Sequence, residues 1–282
     1  MRRVYLLSAI AGLAVLGGIS AFALQPDPAA SQPSSATPAA SQPTEMAMPV
    51  TPPVVAKVPV PDMPVVKTSE GEGGLLMEDL KIGDGYEVKE HGAVVAFYHG
   101  TRKADGHVFD SAFDRGEPIA FPLDGVIPGW QKGVPGMKVG GIRRLTIPAA
   151  LGYGERGAGS DIPPNADLVF VIQLVDALQA TDTVVGTGEE AGTQCVAVSA
   201  FTLSDMSGNV LETATAANPY IWIPGEYQPI QFGLPGMKVG GKRTLVIPKE
   251  MNITPPQVGV NRPNNIPVTM QIELLAVRNL SR

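Results

Sequence analysis

The sequence predicts an α+β fold in which a sheet of short strands packs on one short helix, and it predicts that fold twice. Three observations carry this. Short apolar or alternating runs separated by turn residues, at 93–98, 118–123, 142–148 and 168–175, read as strands. The stretch Asp-Gly-Val-Ile-Pro-Gly-Trp, Asp124 to Trp130, turns through Pro128 and Gly129 into a helix too short to stand alone, so it must lie against a sheet. The run Pro-Gly-Met-Lys-Val-Gly-Gly at 135–141 recurs unchanged at 235–241, a period that means a duplicated domain rather than a solenoid.

Taken in order, the chain begins with Arg2 and Arg3 ahead of an apolar stretch over 4–24 that ends in the small-residue pattern Ala21-Phe-Ala23. Residues 1–24 read as a signal peptide cleaved after Ala23, or uncleaved as a membrane anchor with its arginines inside. Either reading exports the domains, and the N-terminal segment ties them to the membrane only if it is uncleaved. Residues 25–69 are rich in Pro, Ala, Ser and Val, with Ala-Ser-Gln-Pro at Ala30 and Ala40; they read as an extended spacer without a core. The first domain is expected over 70–178, with a hairpin turn at Ala104-Asp-Gly106, and the diverged copy over 180–282.

Composition removes several classes of function. The net charge is −6 and no Lys/Arg run exceeds two residues, which argues against a nucleic-acid partner. Cys195 is the one cysteine, so no intramolecular disulfide can form. The three histidines have no cysteine near them and read as surface residues rather than metal ligands. Gly152-Tyr-Gly-Glu-Arg-Gly157 matches a dinucleotide fingerprint literally, but Pro163-Pro164 follows where a phosphate-carrying helix would have to run. Neither a metal nor a cofactor is expected.

The motifs Val95-Ala-Phe-Tyr-His-Gly100, Gly106-His-Val-Phe-Asp-Ser111, Val126-Ile-Pro-Gly-Trp130, Gly136-Met-Lys-Val-Gly140, Tyr153-Gly154, Ile162-Pro-Pro-Asn165 and Leu168-Val-Phe170 occur in one order over roughly residues 74–178. In that order and spacing the segment resembles the FK506-binding-protein (FKBP) type of peptidyl-prolyl cis–trans isomerase. The resemblance implies an antiparallel half-barrel wrapped on the short helix. It also implies an apolar pocket for Xaa-Pro segments of unfolded or exported client proteins, and macrolide inhibitor binding. The chemistry needs no nucleophile: the barrier is about 18–20 kcal/mol of amide resonance, lost as the C–N bond twists. A pocket that holds the twisted amide better than either planar form is sufficient.

By that resemblance Trp130 is the floor for the proline ring, with Val126, Phe121, Phe170 and Ile162 lining the pocket and Phe109 flanking it. The Ile127 N–H and the Tyr153 hydroxyl are implied donors to substrate carbonyls. Tyr98 and Asp110 are the implied polar face of the reaction site, and Arg115 is the charge partner of Asp110. The chain departs from the family pattern at Ile119, in the short loop between Phe121 and Val126, and at residues 158–161. In the second copy, aligned through the shared repeat, Tyr98 falls on Ala200, Phe109 on Leu211, Asp110 on Glu212, Trp130 on Ile230, Phe170 on Met270 and Tyr153 on about Ile253. That copy reads as catalytically dead; Tyr220, Trp222 and Tyr227, near the former pocket mouth, read either as side chains facing the core or the other domain, the favoured reading, or as a binding surface. The leading function is an exported prolyl isomerase assisting protein folding. The alternative is a non-catalytic chaperone or binding module for Pro-containing segments in the cell envelope.

Overall fold

The computed structural model describes residues 56–253 and 264–280. The segment read as signal or anchor, the spacer up to residue 55, and Pro255, Pro256 and Pro263 lie outside the described residues. Among those described, no helix is long and apolar enough to cross a membrane.

The first unit is a seven-stranded antiparallel sheet in the order β1-β2-β6-β7-β3-β4, with β5 pairing the near end of β3. These are β1 (Lys67–Glu70), β2 (Leu76–Lys81), β3 (Ala93–Arg102), β4 (Val108–Ser111), β5 (Ile119–Pro122), β6 (Ile142–Ile147) and β7 (Leu168–Ala177). A four-residue helix α1 (Ala112–Arg115) follows β4, and α2 (Pro128–Gly133) lies in the concave face. The spacer therefore ends earlier than its composition suggests, because Lys67–Glu70 pairs with β2 in the ladder Lys67 to Asp79 through Glu70 to Leu76.

Alternation decides what faces the core. Val94, Ala96 and Tyr98 of β3 and Leu168, Phe170, Ile172 and Leu174 of β7 point inward and are buried with Trp130 and Val134 of α2. The helix fits because it is small where it meets β6. A Cβ on Gly129 would stand 2.5 Å from Ile147 Cγ2, and one on Gly133 2.8 Å from Leu145 Cδ1.

The second unit repeats this plan in six strands, ordered β10-β9-β13-β12-β8 with β11 pairing β9. They are β8 (Gln179–Val184), β9 (Cys195–Asp205), β10 (Val210–Ala214), β11 (Tyr220–Trp222), β12 (Lys242–Ile247) and β13 (Val268–Asn279), with helix α3 (Gln228–Gly233) in the place of α2. One ion pair marks the duplication. Arg143 Nε donates to Asp79 at 2.6 Å while its Nη1 caps the Gly133 carbonyl at 2.7 Å; Arg243 does the same with Asp182 at 2.6 Å and Gly233 at 2.7 Å.

Only Leu178 separates β7 from β8, and the two units share a buried seam. Ala93 and Val95, on the outer face of β3, are 1% and 0% exposed because they join the apolar cluster of the second unit, together with Leu178 and the partly buried Ala120. One strand thus serves both cores, one with each face.

Candidate active site

The concave face of the first sheet gathers five aromatic rings around α2. Trp130 sits edge-on to Tyr98, Phe121 and Phe170, at centroid distances of 5.7, 5.3 and 5.3 Å, and Phe109 meets Phe170 at 5.5 Å. Edge-to-face rings at such distances attract through their quadrupoles. Gly100 makes this possible: a Cβ there would stand 2.7 Å from the Phe109 ring and 2.8 Å from Phe170. A glycine inside an otherwise apolar strand is the sequence signal for such close approach, and it was available in the Tyr98-His-Gly100 motif.

One wall of the box is polar. Tyr98 donates its hydroxyl hydrogen to Asp110 Oδ2 at 2.6 Å. Arg115 pairs with Asp110 Oδ1 and also reaches the Tyr98 oxygen at 2.7 Å. The Asp110 side chain is only 8% exposed, so its charge needs these partners. Burial first, then the bond to Asp110, pushes the Tyr98 hydroxyl well above its ordinary range, so it remains a donor at any working pH. Burial works against the Arg115 charge, yet the bond to Asp110 and the nearness of Tyr98 raise its pKa on balance. The Tyr153 hydroxyl is likewise raised, by burial and then by the charge of Asp110, which places Tyr153 on the same side of the box.

The remaining expected residues complete the rim. Val126 and Ile127 are 8% and 6% exposed on the turn into α2, and Ile127 is its N-cap. The Ile127 N–H donates to no acceptor among the described residues, and neither does the buried Trp130 Nε1. Ile162 is 1% exposed and anchors the covering loop, exchanging main-chain bonds with Ala158 at 2.8 and 3.2 Å. All eleven expected residues therefore come together in or around one box. Sequence reasoning missed the support of its polar wall. Ser111 caps α1 by accepting from the Asp114 N–H at 3.1 Å, and it shares a hydrogen bond of 3.1 Å with His99 Nδ1. No group of His, Cys, Asp and Glu among the described residues is arranged to hold a metal ion.

The second unit keeps the scaffold and changes the side chains of the box, and its register corrects the sequence alignment. Tyr98 pairs with Ile172 and Phe201 with Ile272, so the counterpart of Tyr98 is Phe201 rather than Ala200. By the same ladders Leu203 stands where Gly100 does, and Trp222 where Phe121 does. Leu203 is 0% exposed, and Trp222 and Tyr227 are each 2% exposed. The indole Nε1 of Trp222 donates to Ser199 Oγ at 2.8 Å, and the Tyr227 hydroxyl to Asn252 at 2.6 Å. Trp222 and Tyr227 are therefore core residues, as the favoured of the two sequence readings expects, and not an exposed binding surface. Glu212 stands beside Leu203 in the β10–β9 ladder as Asp110 stands beside Gly100 in the β4–β3 ladder.

An antiparallel half-barrel closed on a short helix, with an aromatic box and the Asp110 carboxylate in its wall, is the architecture that the sequence resemblance implies. A family profile described as "FKBP-type peptidyl-prolyl cis-trans isomerase" matches residues 85–175. A probable FK506-binding protein of Corynebacterium glutamicum is 46% identical over 103 residues, which are 36% of this chain and 86% of that protein. An FK506-binding protein of Neisseria meningitidis serogroup B is 45% identical over 105 residues, 36% of this chain and 95% of that one. The isomerase FkpA of Escherichia coli K12 is 45% identical over 115 residues, 41% of each chain. The chain belongs to the FKBP-type peptidyl-prolyl cis–trans isomerase family, whose members act on proline-containing substrates and bind FK506-type ligands.

Proposed function

We propose that the first unit isomerises Xaa-Pro bonds in the aromatic box, and that its clients are exported proteins folding outside the cytoplasm. The observation that carries this is the Tyr98–Asp110–Arg115 network in the wall of a box floored by Trp130. A proline ring on Trp130 places the preceding amide between the apolar rings and the polar wall. Twisting that amide lowers the polarity of its carbonyl, so a water-poor enclosure favours the twisted form over the planar ones. The unpaired Ile127 N–H at the rim supports a role in fixing a substrate carbonyl, and Tyr153, on the Asp110 side, in fixing another. Asp110 orients Tyr98 and Arg115 and gives the wall its field.

Export rests on the sequence of residues 1–24, with anchoring and cleavage as its two forms. Full-length and signal-lacking forms should partition differently on cell fractionation, and a wholly cytoplasmic protein would remove the export half of the reading. For the chemistry, Asp110→Asn should lower the rate of Xaa-Pro isomerisation in the intact chain more than it lowers thermal stability. An Asp110→Asn protein with undiminished rate would leave the carboxylate a purely structural partner of Arg115.

A further inference from the structure

The end of the Pro-rich segment lies against the outside of the first unit, at the helix that carries Arg115. Val58 donates its N–H to the Phe113 carbonyl at 2.9 Å, and Lys57 Nζ pairs with Asp114 at 2.9 Å. Further on, Asp62 is near enough to Arg144 to help hold its charge, and the Val66 N–H joins the Asp79 carbonyl at 2.8 Å, where β1 begins. Within this stretch Val58, Val60 and Pro61 are half-buried while Lys57 and Pro59 are exposed, the alternation of an extended chain laid on a surface.

Phe113 shows what the contact does. It is 0% exposed yet belongs to neither core cluster, and it stacks on Phe97 at 5.1 Å from the outer side of β3. A ring on the outside of a sheet is buried only if something covers it, and the segment bonded to the Phe113 carbonyl, with Val58 and Val60 half-buried, is the neighbour placed to do so. Phe113 is the second residue of a four-residue helix, far too short to hold its shape by its own hydrogen bonds. The next-but-one residue is Arg115, which holds both Asp110 and Tyr98 on the inner side.

We propose that residues 57–66 are a strap that positions the polar wall of the prolyl pocket through α1. Val58 and Lys57 touch no substrate; they are positioning residues, acting through Phe113 and Arg115. This rests on the isomerase reading of the pocket. The exposed Lys57–Asp114 pair, with side chains 74% and 47% exposed, contributes little by itself, so the main-chain bond of Val58 and the cover over Phe113 carry the effect.

The test uses the full chain in three forms: unaltered, Val58→Pro, which removes the N–H donor, and a form with residues 57–61 replaced by Gly and Ser in equal number. Val58→Ile, which keeps donor and bulk, is the control. Two quantities are read: steady-state isomerisation of a short Xaa-Pro peptide, and hydrogen exchange at the Asp114 and Gly116 amides, which bond within α1. The strap predicts exchange about tenfold faster or more at those amides. It also predicts kcat lower by about three- to tenfold with KM nearly unchanged, as for lost orientation of a wall rather than lost binding. Val58→Ile should restore both. Unchanged exchange in both altered forms overturns the strap. Faster exchange with unchanged kcat and KM, or a fall in rate accounted for by a lowered unfolding midpoint, overturns its positioning role. An unaltered chain with no rate above background overturns the isomerase reading and the positioning role with it, a result distinct from the others.

Discussion

The two tryptophans of this chain sit one in each unit, and they face opposite circumstances. Trp130 floors an aromatic box, and its buried indole N–H has no acceptor among the described residues. Trp222 stands where Phe121 does in the first unit and gives its N–H to Ser199 at 2.8 Å. Around them the scaffold is the same, down to the arginine that ties β2 or β8 to the end of the helix. The comparison teaches that the fold tolerates exchange of the box residues while the backbone and its register are kept. Leucine stands for Gly100, tryptophan for Phe121 and tyrosine for Ile127 on the concave face.

The largest effect should separate the helix residues that face each core. In the intact chain, Trp130→Ala should cost about 3–5 kcal/mol of first-unit stability and abolish isomerisation. Ile230→Ala should cost about 2–5 kcal/mol in the second unit and leave the rate intact, read by urea unfolding beside a peptide assay. Loss of the rate on changing Ile230 would break the division of labour.

The duplicated arginines should also part company. Arg143 and Asp79 are 9% and 10% exposed, so Arg143→Ala leaves a buried carboxylate unpaired at a cost of about 3–5 kcal/mol. Asp182, opposite Arg243, is 41% exposed and can turn to water, so Arg243→Ala should cost distinctly less, about 1–2 kcal/mol for its lost hydrogen bonds. Equal losses in thermal unfolding would mean that the second seam is as dry as the first.

Gly100→Leu makes the first box resemble the second. The new side chain must displace the Phe109 and Phe170 rings, at about 1–3 kcal/mol of overpacking, and peptide turnover should fall to background. A stable, active Gly100→Leu protein would show that the rings have room the structure does not display.

The smallest effect is in pH. All three histidines lie in the first unit, and burial lowers the pKa of His99 below 6.5, opposed by the charge of Asp114. The folded form then takes up a proton less readily than the unfolded one. The stability held by neutral His99 is complete above pH 6.5 and is lost as pH falls through 6.5 towards the depressed value. His99→Gln should flatten that part of the first unit's unfolding profile and leave the second unit's unchanged. An unaltered slope would assign the dependence to other groups.

Much of this was legible in the sequence, for reasons that differ by residue. The box residues could be read because each stands in a short motif with its own local geometry, such as Pro128-Gly-Trp130 starting a helix. The counterpart of Tyr98 could not. A strand alternates its faces, so an error of one position in aligning the copies sends a residue to the wrong side, and only the ladder to β13 shows Phe201 facing inward. Trp222 and Tyr227 left a core and a surface reading open in the sequence because their hydrogen-bond partners, Ser199 and Asn252, are distant in the chain. The strap was hidden for a related reason. An extended Val- and Pro-rich run has the composition of a spacer, and what orders it is a ring on the far side of a sheet.

The central claim, a prolyl box in the first unit and no such box in the second, is tested most directly by the two indole N–H resonances. The intact chain is titrated with a short Xaa-Pro peptide while cis–trans exchange of that peptide is followed in the same spectra. The account predicts catalysed exchange with a shifted Trp130 resonance, and a Trp222 resonance that stays where Ser199 holds it. Movement of the Trp222 signal, or catalysed exchange with the Trp130 signal unmoved, would contradict it.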